Sequence, residues 1–383
     1  MARVSNRFLF QLHGWFSLPV WVLFSFVCLT GTVAVMSHEF AWLTNENIRA
    51  VNPDNRPAQP VAESVTTVKK TFPDADVTGV SVRESYMAHE VMFTATGKPF
   101  AIAYVNPYSG AIQEVNDGVT FIGFMRTLHG WLYFPWHGSY SLGYYLVSLM
   151  SVVMLGALIT GLLVFKKFWQ AYRNPKIRSH QGPRTLTADL HKLAGVWSIW
   201  FMVIMSATGL WYLIQSVMWH ADIEVDPWPA QLDAQSLPVS SQNTPTMPVS
   251  LAQAITKAEN TFDNFQTSYI MMPEHNRDTY KLYGGGNNPF YDGASFQLAV
   301  NPWNGEITQT ITPQNMDALQ TIMHIADPLH FGTIGGIWTK LLWFVFGLIL
   351  SGMSVSGFIM WYLRLAKART ASRKATAARL QEA

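Results

Sequence analysis

The sequence has too little charge for a soluble protein of its length. Of its 383 residues, 13% are charged and 49% are hydrophobic, whereas soluble chains carry about 25% charged residues. Four runs contain no Asp, Glu, Lys or Arg: 14–37, 141–165, 193–219 and 341–363. Each run is at least as long as the roughly 20 residues that cross a bilayer as a helix. The sequence therefore predicts an α-helical membrane protein with four transmembrane helices.

Cysteine is almost absent. Cys28 is the single cysteine, and it lies inside the first apolar run. One cysteine excludes an internal disulfide, an all-cysteine iron–sulfur site and a C-x-x-C-H covalent haem site. The Gly-x-Gly-x-x-Gly and P-loop motifs are also missing, so we expect no nicotinamide, flavin or nucleotide site. The net charge of +2 gives no indication of nucleic-acid binding.

Lysine and arginine are unevenly distributed among the segments that join the apolar runs. The stretch 166–192 carries seven and the tail after residue 363 carries six, whereas 220–340 carries four in a much longer segment. The positive-inside rule then predicts cytoplasmic termini. The first run exceeds the 7–15 residues of a signal-peptide core, so we expect an uncleaved anchor. The predicted order is 1–37 with the first span, 38–140 outside, span 141–165, loop 166–192, span 193–219, 220–340 outside, span 341–363 and tail 364–383.

The two halves of the chain repeat the same motifs. Leu-His opens the first and third spans, and a glycine follows each histidine by 18 positions. The heptapeptide at 106–112, NPYSGAI, matches NPWNGEI at 301–307. The second and fourth spans each carry a Ser/Thr-Gly pair. These repeats predict two copies of one unit, helix out, outer domain and helix back, standing in parallel about a pseudo-two-fold axis along the membrane normal.

The outer segments have an α+β pattern. Residues 61–72 and 250–262 favour short helices, and 77–83, 90–95, 100–106 and 279–300 show the alternation of strands. The Pro/Ser/Gln-rich stretch 227–248 indicates a loop. The Gly-rich stretch 284–289 has no counterpart in the first half. It is either a simple turn or a loop facing a substrate.

The order of these motifs resembles the PepSY-associated transmembrane family over residues 8–365. The matching pattern is Leu-His at the start of a span, Ser/Thr-Gly near its end, Asn-Pro-x-x-Gly closing an outer domain, and LHFGTIGG at 329–336. The resemblance implies two PepSY-like periplasmic domains, a bacterial inner-membrane location and a role in iron uptake. The chain looks most similar to haem-containing siderophore reductases. That similarity implies an enzyme that reduces the Fe(III) of a ferrioxamine-like siderophore and releases the iron.

Nine of the eleven histidines lie near the ends of predicted spans. Haem needs two imidazoles on opposite sides of its ring, an apolar slot, and small residues where the ring approaches a backbone. Helix bundles provide such slots between facing helices. We therefore predict two bis-histidine haem b sites per chain, with glycines that leave room for the ring. The cytoplasmic-side site comprises His13, His191, Gly161 and Gly357, and the outer site comprises His129, His330, Gly31 and Gly209.

Alternatives remain for the outer ligand. By spacing alone, His324 is the equivalent of His129, because each follows its Asn-Pro motif by 23 residues. The Leu-His context and the family pattern favour His330. His38, His137 and His220 are further candidates for an outer ligand or a substrate-side group. The glycines are also explained by close helix packing.

Three functions compete at this point. The leading hypothesis is a transmembrane ferric-siderophore reductase that receives electrons from quinol or a cytoplasmic donor. The second is a membrane-tethered regulator of a periplasmic peptidase, and the third is a component of a siderophore permease. Neither alternative explains the repeated histidines. Zinc is a weaker candidate metal than haem because the spans offer no charged residue as a further ligand.

Overall fold

The computed structural model describes residues 5–237 and 247–382. It contains four helical segments long and apolar enough to cross a membrane, Asn6–Val35, Leu142–Val164, Ile199–His220 and Ile337–Thr370. The prediction of four spans is confirmed. The lengths and apolar composition of these helices are those of a multi-pass membrane protein. Part of the loop predicted at 227–248 lies outside the described residues.

The described residues form twelve α-helices and eight strands. The helices are α1 Asn6–Ser17, α2 Trp21–Val35, α3 Ser37–Thr44, α4 Val61–Thr71, α5 Phe121–Trp131, α6 Leu142–Val164, α7 Phe168–Arg173, α8 Pro183–Trp197, α9 Ile199–His220, α10 Leu251–Thr261, α11 Ala318–Phe331 and α12 Ile337–Glu382. The strands are β1 Asp76–Ser81, β2 His89–Ala95, β3 Lys98–Val105, β4 Ile112–Asn116, β5 Gln266–Met271, β6 Tyr280–Gly285, β7 Phe296–Val300 and β8 Ile307–Ile311.

The first span is interrupted a few residues after His13. A 3₁₀ turn over Leu18–Val20 separates α1 from α2. Pro19 explains the break, since proline has no N–H to donate and its ring clashes with the preceding helical turn. A second break at Ser198 divides α8 from α9. Both breaks lie between a Leu-His motif and the apolar helix that follows it.

The spans pack as an interlocked bundle of the two halves. Helix α6 of the first half packs along α9 of the second, and α12 of the second packs along α2 of the first. The apolar interior includes Phe24, Met154, Phe201 and Trp343. Because lipid is as apolar as these side chains, close packing and not the hydrophobic effect holds the helices together.

The outer segments form a single sheet. Its order is β4-β3-β2-β1-β5-β6-β7-β8, and all its neighbours are antiparallel. Strand β1 joins β5 through the register pairs Gly79–Met271, Val80–Ile270 and Ser81–Tyr269. Each half therefore contributes a four-stranded meander, and the pairing covers one edge of each meander that would otherwise be open to aggregation.

Helices α4 and α10 cover one face of the sheet. Val68 and Ala254 of these helices pack with Val91, Phe93 and Leu282 in a fully buried apolar core. The predicted helices at 61–72 and 250–262 are confirmed as α4 and α10. The predicted strands are also confirmed to within a few residues, whereas β4, β5 and β8 were not predicted.

Two short helices connect the sheet to the second and fourth spans. Helix α5 precedes α6 and helix α11 precedes α12, and each ends in a left-handed residue, Leu132 at φ 55° and Gly332 at φ 68°. Glycine adopts this conformation without strain, whereas leucine does so at a cost of roughly 1 kcal/mol. These helices carry His129 and His330.

Candidate cofactor sites at two levels of the bundle

One pair of imidazoles lies at the end of the bundle next to the sheet, and we call it the outer pair for that position. His129 of α5 and His330 of α11 have ring centroids 6.2 Å apart. His129 Nδ1 lies 3.4 Å from the Thr30 hydroxyl of α2, and His330 Nδ1 lies 2.9 Å from the Thr208 hydroxyl of α9. Each histidine thus contacts a span of its own half and faces the histidine of the other half.

The second pair lies at the other end of the bundle. His13 of α1 and His191 of α8 have ring centroids 6.4 Å apart. His13 Nδ1 lies 2.9 Å from the carbonyl oxygen of Ala157 and 3.1 Å from the Thr160 hydroxyl. His191 Nδ1 lies 2.8 Å from the Ser356 hydroxyl of α12. The four predicted haem-ligand histidines therefore form two facing pairs.

The hydrogen bonds fix which ring nitrogen carries the proton. The carbonyl of Ala157 can only accept, so His13 donates from Nδ1. The hydroxyls of Thr30, Thr160, Thr208 and Ser356 each donate to a carbonyl of their own helix, at 2.6–2.9 Å. The oxygen of each hydroxyl is therefore left to accept a hydrogen bond from the N–H at Nδ1 of the imidazole. All four imidazoles keep the Nε2 lone pair available for a metal, as ligating histidines do when a neighbour holds the other nitrogen.

The glycine of three of the four Ser/Thr-Gly pairs stands beside an imidazole. A Cβ on Gly31 would lie 2.6 Å from Cε1 of His129, a Cβ on Gly161 would lie 3.4 Å from Cε1 of His13, and a Cβ on Gly357 would lie 3.7 Å from Cε1 of His191. These three glycines border imidazoles, and their role in leaving room for a porphyrin stays a prediction. Gly209 differs, since its Cβ would lie 2.8 Å from Cβ of Ser151 where α9 packs on α6.

His324 lies away from both pairs. It is 1% exposed and sits between two carboxylates, with Nε2 3.0 Å from Asp226 and Nδ1 2.8 Å from Asp292. Asp292 belongs to the loop that follows the Gly-rich stretch, and Asp226 follows α9. The structure therefore places His330, and not His324, opposite His129. His324 ties α11 to two loops of the second half.

We expect His324 to make stability depend on pH. Burial opposes its charge, but hydrogen bonds to Asp226 and Asp292 outweigh burial and raise the pKa of His324 to about 9. The unfolded pKa is about 6.5, so this contribution, on the order of 3 kcal/mol, is complete below pH 6.5 and is lost as pH rises through about 9. The melting temperature of the outer region, followed by tryptophan fluorescence, should fall between pH 6.5 and 9.5. His324→Gln should flatten that slope, whereas the exposed His275→Gln should leave it intact.

The other three candidate histidines also lie outside the pairs. His38 Nδ1 is 3.4 Å from Glu84, whose carboxylate also accepts from Lys340 at 2.7 Å. The hydrogen bond from His38, with that from Lys340, outweighs burial and lowers the pKa of Glu84 to about 2. His137 forms a backbone bridge with Tyr140, and the ring of His220 packs against Tyr140 at 4.9 Å.

The two pairs fit axial ligation of haem. Two imidazoles that share one metal at about 2.0 Å place their ring centroids roughly 6 Å apart, close to both observed separations. Within residues 5–237 and 247–382, no group of three or more His, Cys, Asp or Glu side chains is arranged to hold a metal ion. A zinc site needs such a group, whereas axial coordination of haem iron needs two side chains.

A known protein family matches nearly the whole chain. A family model described as the PepSY-associated TM region matches residues 10–364. The chain belongs to this family. The match includes both imidazole pairs, the whole sheet, the second and third spans, and most of the first and fourth spans. No curated protein matches the chain.

The hydroxyls that hold the imidazoles were not predicted as functional residues. Sequence analysis singled out the Ser/Thr-Gly pairs for their glycines and missed the role of Thr30, Thr160, Thr208 and Ser356. A signal was present, because a Ser or Thr precedes the glycine in all four spans. Helix packing alone requires a small residue at that position, and does not require a hydroxyl in every copy.

Proposed function

We propose that this protein is a transmembrane ferric-siderophore reductase of the bacterial inner membrane that holds two b haems. The observation that carries the proposal is the pair of facing imidazoles at each end of one bundle, with all four Nε2 atoms left free by Nδ1 hydrogen bonds. Eighteen residues separate each Leu-His motif from the glycine at the far end of its span, which corresponds to about 27 Å along a helix. Two cofactors at these levels would extend across the bilayer.

The residues of each pair would hold and orient the cofactor. His13 and His191 would hold the cytoplasmic-side haem, and His129 and His330 would hold the outer haem. Haem supplies reversible one-electron transfer at each level. The hydroxyl acceptors fix the tautomer and rotation of each imidazole and raise its basicity. The apolar cluster between the levels keeps water and ions out of the bundle.

The substrate would bind on the side of the sheet that faces the bundle. A cavity of about 360 Å³ lies between the end of α9 and the second half of the sheet, with Trp219, Trp228 and Tyr283 among its lining residues. This volume is within the range of small-molecule sites. A ferric siderophore of the ferrioxamine type is the proposed substrate, and a quinol or a cytoplasmic protein is the proposed electron donor.

We further propose that the two halves are parallel repeats and that the sheet faces the periplasm. The basic loop 166–192 and the basic tail support a cytoplasmic position for the end of the bundle at which they lie. A membrane-impermeant thiol reagent should label Asn288→Cys in intact spheroplasts but label Arg173→Cys only after lysis. The reverse pattern would invert the topology.

An optical spectrum of the detergent-purified chain tests the function. We expect a six-coordinate b-type spectrum on reduction with dithionite and two haems per chain by pyridine haemochrome. Reoxidation of the reduced protein by a ferric hydroxamate siderophore should follow. A protein without a Soret band, purified from cells supplied with a haem precursor, would remove the reductase from consideration.

A further inference from the structure

Equivalent positions above the outer imidazoles carry opposite charges. Arg126 precedes His129 by three residues on α5, and Asp327 precedes His330 by three residues on α11. Residues three apart on a helix lie on the same face, so each charge stands one turn from a paired histidine. The two halves differ here although their Leu-His motifs are the same.

Asp327 already has a partner. It accepts a hydrogen bond of 2.7 Å from the Tyr212 hydroxyl of α9, and the Tyr212 ring packs edge-on to His330 with centroids 5.0 Å apart. Burial and the neighbouring Asp292 raise the pKa of Asp327 to about 6. The Asp327 carboxyl therefore points towards α9, which belongs to the second half of the chain.

Arg126 lacks a comparable partner among the described residues. Its guanidinium lies 5.7 Å from the ring of Phe331, the residue after His330, and it makes no hydrogen bond or ion pair there. The protein around it and the nearby Arg83 lower the pKa of Arg126, but a guanidinium remains charged in proteins. The side chain of Arg126 is exposed and has the acidic groups of Asp327 and Glu90 nearby, but no described side chain takes up its five donors by a hydrogen bond.

A carboxylate is the anion that such a group is built to bind. The planar guanidinium matches a carboxylate with two parallel hydrogen bonds. Arg126 is one turn above His129 and beside the neighbour of His330, so it lies close to both sides of the outer pair. An acidic group on whatever these imidazoles hold would come within reach of it.

We propose that Arg126 is a positioning residue that binds a carboxylate of the group held between His129 and His330. This inference rests on the proposed function, in which that group is a b haem, whose two propionates are its only acidic groups. Arg126 would fix the rotation of the ring about the axis through the two imidazoles. A carboxylate of an arriving ferric substrate is the other source of the same chemistry.

Haem transfer from the purified full-length protein to a haem-free globin separates these sources. We expect two kinetic phases in the parent protein, one for each site. Arg126→Gln should accelerate one phase about tenfold, as the loss of a charged hydrogen bond predicts, and leave the other unchanged. Arg126→Lys should give an intermediate rate, because lysine keeps the charge but not the paired geometry. Arg56→Gln is the matched control, since Arg56 is an exposed arginine paired with Asp54 on the outer region.

Each other result overturns the assignment in a recognisable way. A protein with two haems and unaltered transfer in Arg126→Gln would overturn the role of Arg126 alone. Unaltered transfer with weakened binding of the ferric siderophore would assign Arg126 to the substrate. A colourless parent protein would overturn this inference together with the proposed function.

Discussion

His330→Ala is expected to lower the haem content from two to one per chain and to stop reduction of the ferric substrate. The imidazole of His330 is held by Thr208 with its Nε2 free opposite His129. Without it, the outer iron has a single protein ligand. Loss of a supporting partner typically costs 10–100-fold in metal affinity, and loss of the ligand itself should cost more. Pyridine haemochrome and single-turnover reoxidation measure the two effects.

Matched variants test whether haem is lost only when a histidine of one of the two pairs is replaced. His13→Ala should also reduce the haem content to one per chain, but the haem lost should be the cytoplasmic-side one, so electron input from a donor should fail. His137→Ala and His220→Ala should keep two haems, because these histidines contact Tyr140 and not the pairs. His324→Gln should destabilise the outer region but keep both haems. If His324→Gln lost the outer haem while His330→Ala kept it, the assignment of the outer ligand would be wrong.

Local patterns in the sequence predicted the spans and three of the four paired histidines, whereas His330 was favoured over His324 by its Leu-His context together with the family resemblance. Charge-free runs predict membrane helices because a buried charge is costly in lipid. The Leu-His and Ser/Thr-Gly motifs occur in the same order in both halves, so the topology alone places histidines of different halves at the same level. The confirmation of His330 as the partner of His129 in space concerns its position; its role as a ligand stays a prediction.

Spacing failed where the two halves differ in length. His324 follows Asn301 by the same interval as His129 follows Asn106, yet it lies elsewhere. Helix α11 has 14 residues whereas α5 has 11, and a longer connection precedes α11. Counting 23 residues from Asn301 therefore stops at His324, well before the end of α11, whereas the same count from Asn106 reaches the last turn of α5. The end of the helix, where Leu-His meets the left-handed residue, is the better point of reference.

The single eight-stranded sheet could not be predicted from local pattern. Alternation of apolar residues identifies β1 but did not identify β5, and it does not show which strand edges meet. The pairing of Val80 with Ile270 joins residues far apart in the sequence, and each alone looks like an ordinary buried strand residue. The hydroxyl acceptors were missed for a related reason, since their role depends on a histidine from another helix.

Alanine at the four Ser/Thr-Gly glycines should separate their roles, and Gly31→Ala should have the largest effect. The new Cβ would lie 2.6 Å from Cε1 and 3.0 Å from Nε2 of His129, too close for any real contact. The imidazole must move off the axis that it shares with His330, at an overpacking cost of about 1–3 kcal/mol. We expect loss or marked weakening of the outer haem, seen in the haemochrome count and in the spectrum.

The same substitution elsewhere provides the controls, because only the clearance differs. Gly357→Ala should keep both haems, since its Cβ would lie 3.7 Å from Cε1 of His191, an ordinary contact. Gly161→Ala, at 3.4 Å from His13, should shift the cytoplasmic-side spectrum slightly. Gly209→Ala would press on Ser151 and should lower thermal stability more than haem content. If Gly31→Ala kept a normal outer haem, His129 would not be held where the structure places it.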